Sequence, residues 1–259
     1  MNTPQVTITE DHNIYYQLIN GDTDKPYLVF LHEGLGCTDM WHDFPKLLCA
    51  TSGCPGLAYD RLGHGKSSPL RQPRTIHYLH KHGLQELPML LEKVIPEKKY
   101  FLIGHSDGGS ISLIYGAERP PLLQGIITEA AHIFVDTKTL KGIAAADILW
   151  KQGKLKSLHK YHGEKTESVF QAWSATWQSS WFLNWNIENL LPDIEVPLLV
   201  IQGADDQYGS MEQVDAIVAK SRGYTRAELI AQCGHNPHQE ARAVVLRHMN
   251  EFITDITTN

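Results

Sequence analysis

Apolar residues recur along this chain in short unbroken runs more often than in strict alternation. Runs at residues 27–31, 56–59, 100–103, 125–128 and 197–202 are nearly continuous, the pattern of strands buried on both faces. Between them the chain turns polar or takes helical spacing, which predicts a mostly parallel sheet covered by helices on both faces. Residues 4–19 read as an antiparallel hairpin at its start. After the 100–103 run, Ile111, Ile114 and Tyr115 recur at helical spacing until Pro120-Pro121 stops the helix. Gln239 to Ile253 reads as a closing helix with Ala243, Leu246 and Phe252 turned inward. No internal repeat or low-complexity linker divides the chain.

One interval departs from this rhythm. The stretch from near Ala130 to near Pro197 is too long for a simple crossover, and it holds five of the six tryptophans: Trp150, Trp173, Trp177, Trp181 and Trp185. The last four are spaced by four and, with Phe170, predict one aromatic helical face. Any single ring is suited to gluing such an insertion to the core. As a set, they would line an apolar pocket and exclude water. The expected organisation is a core of residues 1–131 and 192–259 with a helical insertion at 132–191.

Candidate chemistry sits where the strands end. Tyr100 to Gly109 runs from an apolar stretch into G-x-S-x-G, which presents Ser106 on a sharp strand-to-helix turn. So tight a turn brings backbones together, and glycine is required where a Cβ would clash. A second run, Val196 to Gln202, ends in Gly203-Ala204-Asp205-Asp206, which places carboxylates at a strand's C-terminal end, the edge where open α/β sheets bind ligands. A third, Ala227 to Ala231, leads into Cys233-Gly234-His235. Ser106 is thus the candidate nucleophile and His235 the candidate base, with Asp205 or Asp206 between them in the chain and Glu129 a more distant acid.

These residues, in the order Ser, Asp, His, resemble the α/β-hydrolase superfamily, and the likeness covers nearly all of the chain. Leu28 to Gly36 is similar to its His-Gly-x loop, with Glu33 in place of the usual glycine. The resemblance implies an oxyanion hole from the backbone N–H groups of Gly34 and Asp107. It favours Asp206 as the acid, which lies three residues after the strand-ending Gly203. Tyr59 to Ser67 looks like the superfamily's structural Asp-x-x-Gly-x-Gly-x-Ser turn. Small carboxylesterases, meta-cleavage-product carbon-carbon hydrolases and the biphenyl-hydrolase-like enzymes that cleave valacyclovir are the nearest groups; the last share Ser-Asp-Gly-Gly. A serine at 106 argues against dehalogenases and epoxide hydrolases, and proline iminopeptidases look less similar because their His-Gly-Gly-Pro-Gly loop is missing.

What the resemblance implies is an α/β-hydrolase fold with a helical lid, and a serine hydrolase cleaving a small carboxylic ester, acyl or aryl, through an acyl-enzyme. Substrate contacts are expected from Glu33, Trp173, Trp177 and Trp181. Carbon-carbon cleavage of ring-fission diketones uses the same residues. An α-amino ester would place its ammonium on Asp107, and a non-catalytic receptor on this scaffold is the remaining alternative. No metal or organic cofactor is implied.

Composition narrows the partners. A length of 259 residues suits one α/β domain with an insertion. A net charge of −6 and the lack of a basic stripe exclude nucleic acid. Met1 to Tyr16 lacks the apolar centre of a signal peptide, and no run approaches the roughly 20 residues a bilayer demands, so a cytoplasmic protein that does not enter the membrane is expected. Cys37, Cys49, Cys54 and Cys233 form no C-x-x-C pair and read as reduced thiols. His77, His80 and His82, spaced by three and two, do not repeat one helical face and are expected at the surface without a metal.

Overall fold

Strands form where the apolar runs lie. The computed structural model describes residues 5–9 and 12–258, and its strands are β1 Gln5–Thr9, β2 His12–Ile19, β3 Tyr27–Leu31, β4 Gly56–Tyr59, β5 Tyr100–His105, β6 Leu123–Glu129, β7 Leu198–Gly203 and β8 Thr225–Ile230. They make one eight-stranded sheet in the order β1-β2-β4-β3-β5-β6-β7-β8. β1 and β2 pair antiparallel, as do β2 and β4, and every later pair is parallel. This is the fold expected from the runs. Pro4, Glu10 and Asp11 of the expected hairpin lie outside the described residues.

The unbroken runs follow from burial on two sides. Along β3, Val29 and Leu31 join one hydrophobic cluster with Leu57, Tyr59 and Leu102. Their neighbours Leu28 and Phe30 join a second with Ala58, Phe101 and Ile103 on the other face. Side chains alternate across a strand, so both sets must be apolar when helices cover both faces. Edge strand β8 is covered less and keeps Leu229 exposed.

The closing helix begins later than its periodicity suggests. A short turn of helix, Pro237–Glu240, breaks at Ala241, and the long helix runs over Arg242–Thr257. That break resets the phase. Val245, Met249, Phe252 and Ile253 face the core, Leu246 is half-buried and Ala243 faces solvent.

Between β6 and β7 two long helices, Thr137–Lys151 and Thr166–Gln178, pack together. Asp136 caps the first by accepting the Thr139 N–H at 2.7 Å. Asp147 links the pair, accepting from Ser174 Oγ at 2.5 Å and Gln178 Nε2 at 2.8 Å. Trp150 stacks on Phe170 with ring centroids 4.2 Å apart. His162 and Lys165 tie this segment to the core loops: His162 accepts from the Gly65 N–H and donates to the Leu35 carbonyl, while Lys165 donates to the carbonyls of His64 and Ser67. The helix ends at Gln178, so the expected aromatic face stops there, and Trp181 and Trp185 lie beyond it.

Three further placements bear on the sequence reading. The four cysteines are free and buried. His82 departs from its expected surface position: a π-helical turn at His82–Glu86 carries it inward, where Nδ1 lies 3.1 Å from Glu86 Oε2, while His77 is exposed and His80 half-buried. Among the described residues no helix is long and apolar enough to cross a membrane.

The tightest backbone contact in the sheet is testable. A Cβ on Gly108 would lie 2.0 Å from the Leu31 carbonyl oxygen, whereas one on Gly83 would meet nothing nearer than 3.3 Å. Gly108→Ala is expected to cost about 3 kcal/mol or more by overpacking. Gly83→Ala should stay within about 1 kcal/mol of the unmodified protein. Urea unfolding midpoints of the two variants check the ranking.

Candidate active site

The turn between β5 and the helix Asp107–Gly116 puts Ser106 at φ 52° and ψ −116°, a backbone conformation that non-glycine residues rarely hold. The surroundings enforce it. The Ser106 N–H donates to the Glu129 carbonyl at 2.8 Å, and its own carbonyl accepts from the Ser110 N–H at 3.0 Å. A Cβ on Gly104 would sit 2.2 Å from the Gly108 carbonyl oxygen, which with the Leu31 contact explains both glycines of G-x-S-x-G. All ten residues of the following helix are buried, so the turn has no room to relax.

His235 and Asp206 meet beside it. His235 Nδ1 lies 2.9 Å from both Asp206 carboxylate oxygens. Asp206 also accepts from Gln202 Nε2 and from the Tyr208 N–H, each at 2.7 Å. Burial alone would raise its pKa, but His235 and the Tyr208 and Gly209 backbones outweigh that and hold the carboxyl well below the usual range. Asp205 points away into solvent, and Glu129 is taken by His238 Nδ1 at 2.7 Å. Of the three candidate acids, only Asp206 reaches His235.

Ser106 and His235 open onto a cavity of about 240 Å³. Trp173 and Trp177 line it, together with Ile143, Ala146, Leu149 and Leu158 from the segment between β6 and β7. Trp181 does not: it lies past the helix end, is 46% exposed and rests its ring on Phe182. Gly34 lies under Trp173, whose ring would be 2.5 Å from a Cβ there. Glu33 and Asp107 also line the cavity, yet both carboxylates already have partners.

Asp107 is 1% exposed, with its Oδ2 3.5 Å from Arg61 Nη1 and 3.0 Å from the Tyr78 hydroxyl. Tyr78 donates there and accepts from Trp177 Nε1 at 2.9 Å. Arg61 Nη2 also donates to the Glu33 carbonyl at 2.7 Å, fixing the loop that carries Gly34. Glu33 Oε2 lies 3.6 Å from His105 Nδ1. Burial would raise Glu33, but His105, and behind it His32, hold the carboxyl well below its usual value.

His132 completes the wall. It is 3% exposed, neither ring nitrogen has a hydrogen-bond partner, and burial, aided by the neighbouring His235 ring, pushes its pKa down to about 4. It is therefore a neutral imidazole at pH 7. Arg61, Tyr78, His105 and His132 were not among the residues expected from the sequence. Arg61 sits inside the Asp-x-x-Gly turn and His105 inside the elbow, so a local signal existed for those two. Nothing in the sequence singles out Tyr78 or His132. Among the described residues, no group of three or more His, Cys, Asp or Glu is arranged to hold a metal ion.

Residues 28–247 match the model of the alpha/beta hydrolase family. The chain belongs to that family. Its sequence is 34% identical over 120 residues to a proline iminopeptidase of Saccharolobus solfataricus, covering 46% of this chain and 37% of that protein. This is a nearer likeness than the missing His-Gly-Gly-Pro-Gly loop suggests. It is 30% identical over 165 residues to a 2-succinyl-6-hydroxy-2,4-cyclohexadiene-1-carboxylate synthase of Enterobacter sp. strain 638, covering 60% of this chain and 57% of that one. The matched part is thus well under two thirds of either relative. Among solved alpha/beta hydrolase structures, the 2-hydroxy-6-oxo-6-phenylhexa-2,4-dienoate hydrolase of Rhodococcus sp. strain RHA1 superposes with a TM-score of 0.78 at 14% identity, covering 96% of each chain.

The depressed carboxyls set an acid limit on stability. Asp206 and Glu33 both have folded pKa values below their unfolded ones, so each stabilises the fold above the unfolded values near ~4 and loses that contribution as pH falls through the folded ones. Urea unfolding from pH 6 down to pH 3 is expected to show a steep loss below about pH 4. The acid limb should be shallower in Asp206→Asn.

Proposed function

We infer that this chain is a serine hydrolase of small carboxylic esters. The observation that carries the reading is the doubly contacted Asp206–His235 pair opening, with Ser106, onto one cavity walled by tryptophan and aliphatic side chains. Ser106 attacks the ester carbonyl while His235 takes its proton. Asp206 holds the ring in the tautomer with the Nδ1 proton and stabilises the imidazolium. The oxyanion is received by the backbone N–H groups of Gly34 and Asp107. His235 then protonates the leaving alcohol, and water, activated by the same ring, hydrolyses the acyl-enzyme. No metal or organic cofactor enters these steps.

Residues 132–191 act as the lid over a core of residues 1–131 and 192–259. Trp173 and Trp177 from the lid, and the aliphatic side chains beside them, suit an acyl or aryl group and keep bulk water from the intermediate. The α-amino ester reading is disfavoured by Asp107. Its Oδ2 already faces Arg61 and Tyr78 in a buried setting, and an added ammonium would have to bind beside a guanidinium of like charge.

Two measurements test this function. In the unmodified protein an organophosphonate should label Ser106, and Ser106→Ala should abolish turnover of p-nitrophenyl esters with the fold intact. Asp206→Asn is expected to lower kcat by on the order of a thousandfold or more through the wrong imidazole tautomer, with Asp205→Asn near unity. Label mapped elsewhere, or the reverse ranking of the aspartates, rejects the assignment. Faster loss of a ring-fission dienoate than of any ester would move the chain to carbon-carbon hydrolysis.

Amino-acid esters give the second test. The free and N-acetylated forms of a valine ester are expected to be hydrolysed within about threefold of each other, well short of the ~1.5–3 kcal/mol of a hydrogen bond to a charged group. A preference for the free amine of tenfold or more would mean that Asp107 is accessible to the substrate after all.

A further inference from the structure

We propose that the half-buried Glu33 and the fully buried His105 form an ion pair that positions the Gly34 amide and the His235 ring relative to each other. Both are positioning residues, since neither is assigned contact with reacting atoms, and the proposal rests on the roles inferred above for Ser106, His235 and Gly34.

The geometry leaves His105 little choice of protonation. It is fully buried, with Nε2 2.7 Å from the His235 carbonyl oxygen and Nδ1 3.6 Å from Glu33 Oε2. A neutral imidazole has one N–H. If Nε2 carries it toward the carbonyl, a bare Nδ1 lone pair faces a carboxylate. With both nitrogens protonated, Nε2 donates to the carbonyl and the imidazolium lies within ion-pair distance of the carboxylate, 3.6 Å away, so that two opposite charges offset each other.

The surroundings agree. The titratable groups around His105 are Glu33 on the loop after β3, Glu129 at the end of β6, and the rings of His235 and His238, each 5.1 Å away. His238 is itself held by Glu129 at 2.7 Å, while Glu33 also faces His32. Burial lowers the His105 pKa, but Glu33 and Glu129 together raise it above the ordinary histidine value.

The pair also accounts for Glu33, where the resembling family has glycine. Its carboxylate occupies the space beside Gly36, where a Cβ would lie 2.2 Å from Oε2. A charged side chain at 33 is tolerated because Gly36 leaves room and His105 answers the charge. Three loops meet at this contact: the one carrying Gly34, the elbow, and the loop of His235. Gly34 is covalently next to Glu33, and the His235 main chain accepts the other His105 N–H.

The sign of the pH effect follows. The pair is complete above the pKa of Glu33 and below the raised pKa of His105, and it is lost as pH rises through the latter. Nitrogen-15 NMR of histidine-labelled protein, with His105 assigned by comparison with His105→Asn, should find both of its nitrogens protonated at pH 7.5. One bare nitrogen at that pH overturns the proposal.

Glu33→Gln keeps the shape and removes the charge. Its kcat on a p-nitrophenyl ester at pH 8 is expected to fall about a hundredfold, the scale of a misplacement near 1 Å. KM should change far less than kcat, as expected for a misplaced catalytic group, and the alkaline limb of kcat should move to lower pH. An unchanged kcat and alkaline limb overturns the proposal. If the variant does not fold, the NMR titration of the unmodified protein decides alone. Failure of the organophosphonate to label Ser106 in the unmodified protein would reject the function instead, leaving the protonation result readable.

Discussion

The close passage of the chain at the end of β5 is the constraint on which the rest depends. Gly108 lies against the Leu31 carbonyl and Gly104 against Gly108, so β3, β5 and the following helix meet with no side chain between them. That contact forces the unusual dihedrals of Ser106 and brings the loop after β3 beside the serine. Gly34 comes close to the Asp107 carboxyl for the same reason, a Cβ there lying 3.3 Å from Asp107 Cγ. Burial of the whole Asp107–Gly116 helix makes the arrangement rigid, because a shift at the turn would disturb the packing of Ile111, Leu113, Ile114 and Tyr115 on their face of the sheet.

Around this contact the C-terminal edge of the sheet collects ionisable groups in pairs. Arg61 meets Asp107, His238 meets Glu129, His235 meets Asp206, and His105 meets Glu33. Each pair is largely withdrawn from water, where a lone charge would be costly and a paired one tolerable. His132 has no such partner, and there burial keeps the imidazole neutral. The site is therefore held by paired, mutually oriented polar groups set in fixed positions before any substrate arrives. Such preorganisation is what electrostatic stabilisation of a developing charge requires.

Much of the scaffold could be read from local pattern. Strands buried on both faces leave continuous apolar runs, and the glycines at 104 and 108 mark a turn that few residues can make. Local pattern left Asp205 and Asp206 both open and the family resemblance favoured Asp206, which is the carboxylate that reaches His235. Where pattern failed, the missing information was non-local or concerned where an element stops. A spacing of four carries on through Trp181, but the helix ends at Gln178, so that ring turns outward. The break at Ala241 rotated the closing helix away from Ala243. The partnership of Asp107 with Arg61 spans 46 residues of chain and leaves no periodic trace. Its consequence for the site is large, since it turns an apparently free carboxylate into half of a buried pair.

The hydrogen bond from Trp177 to the Tyr78 hydroxyl, and from there to Asp107, joins the segment between β6 and β7 to the residue beside Ser106. Divergence of related sequences is constrained unevenly as a result. A ring lost at 177 removes the donor to a buried phenol that itself holds a carboxylate next to the serine, so exchanges at positions 78, 107 and 177 are physically coupled. Trp181, facing water a few residues later, can change alone. Inheritable variation in what the cavity accepts is thus channelled toward its aliphatic wall at Ile143, Ala146, Leu149 and Leu158, where one side chain can be exchanged without unmaking a hydrogen bond.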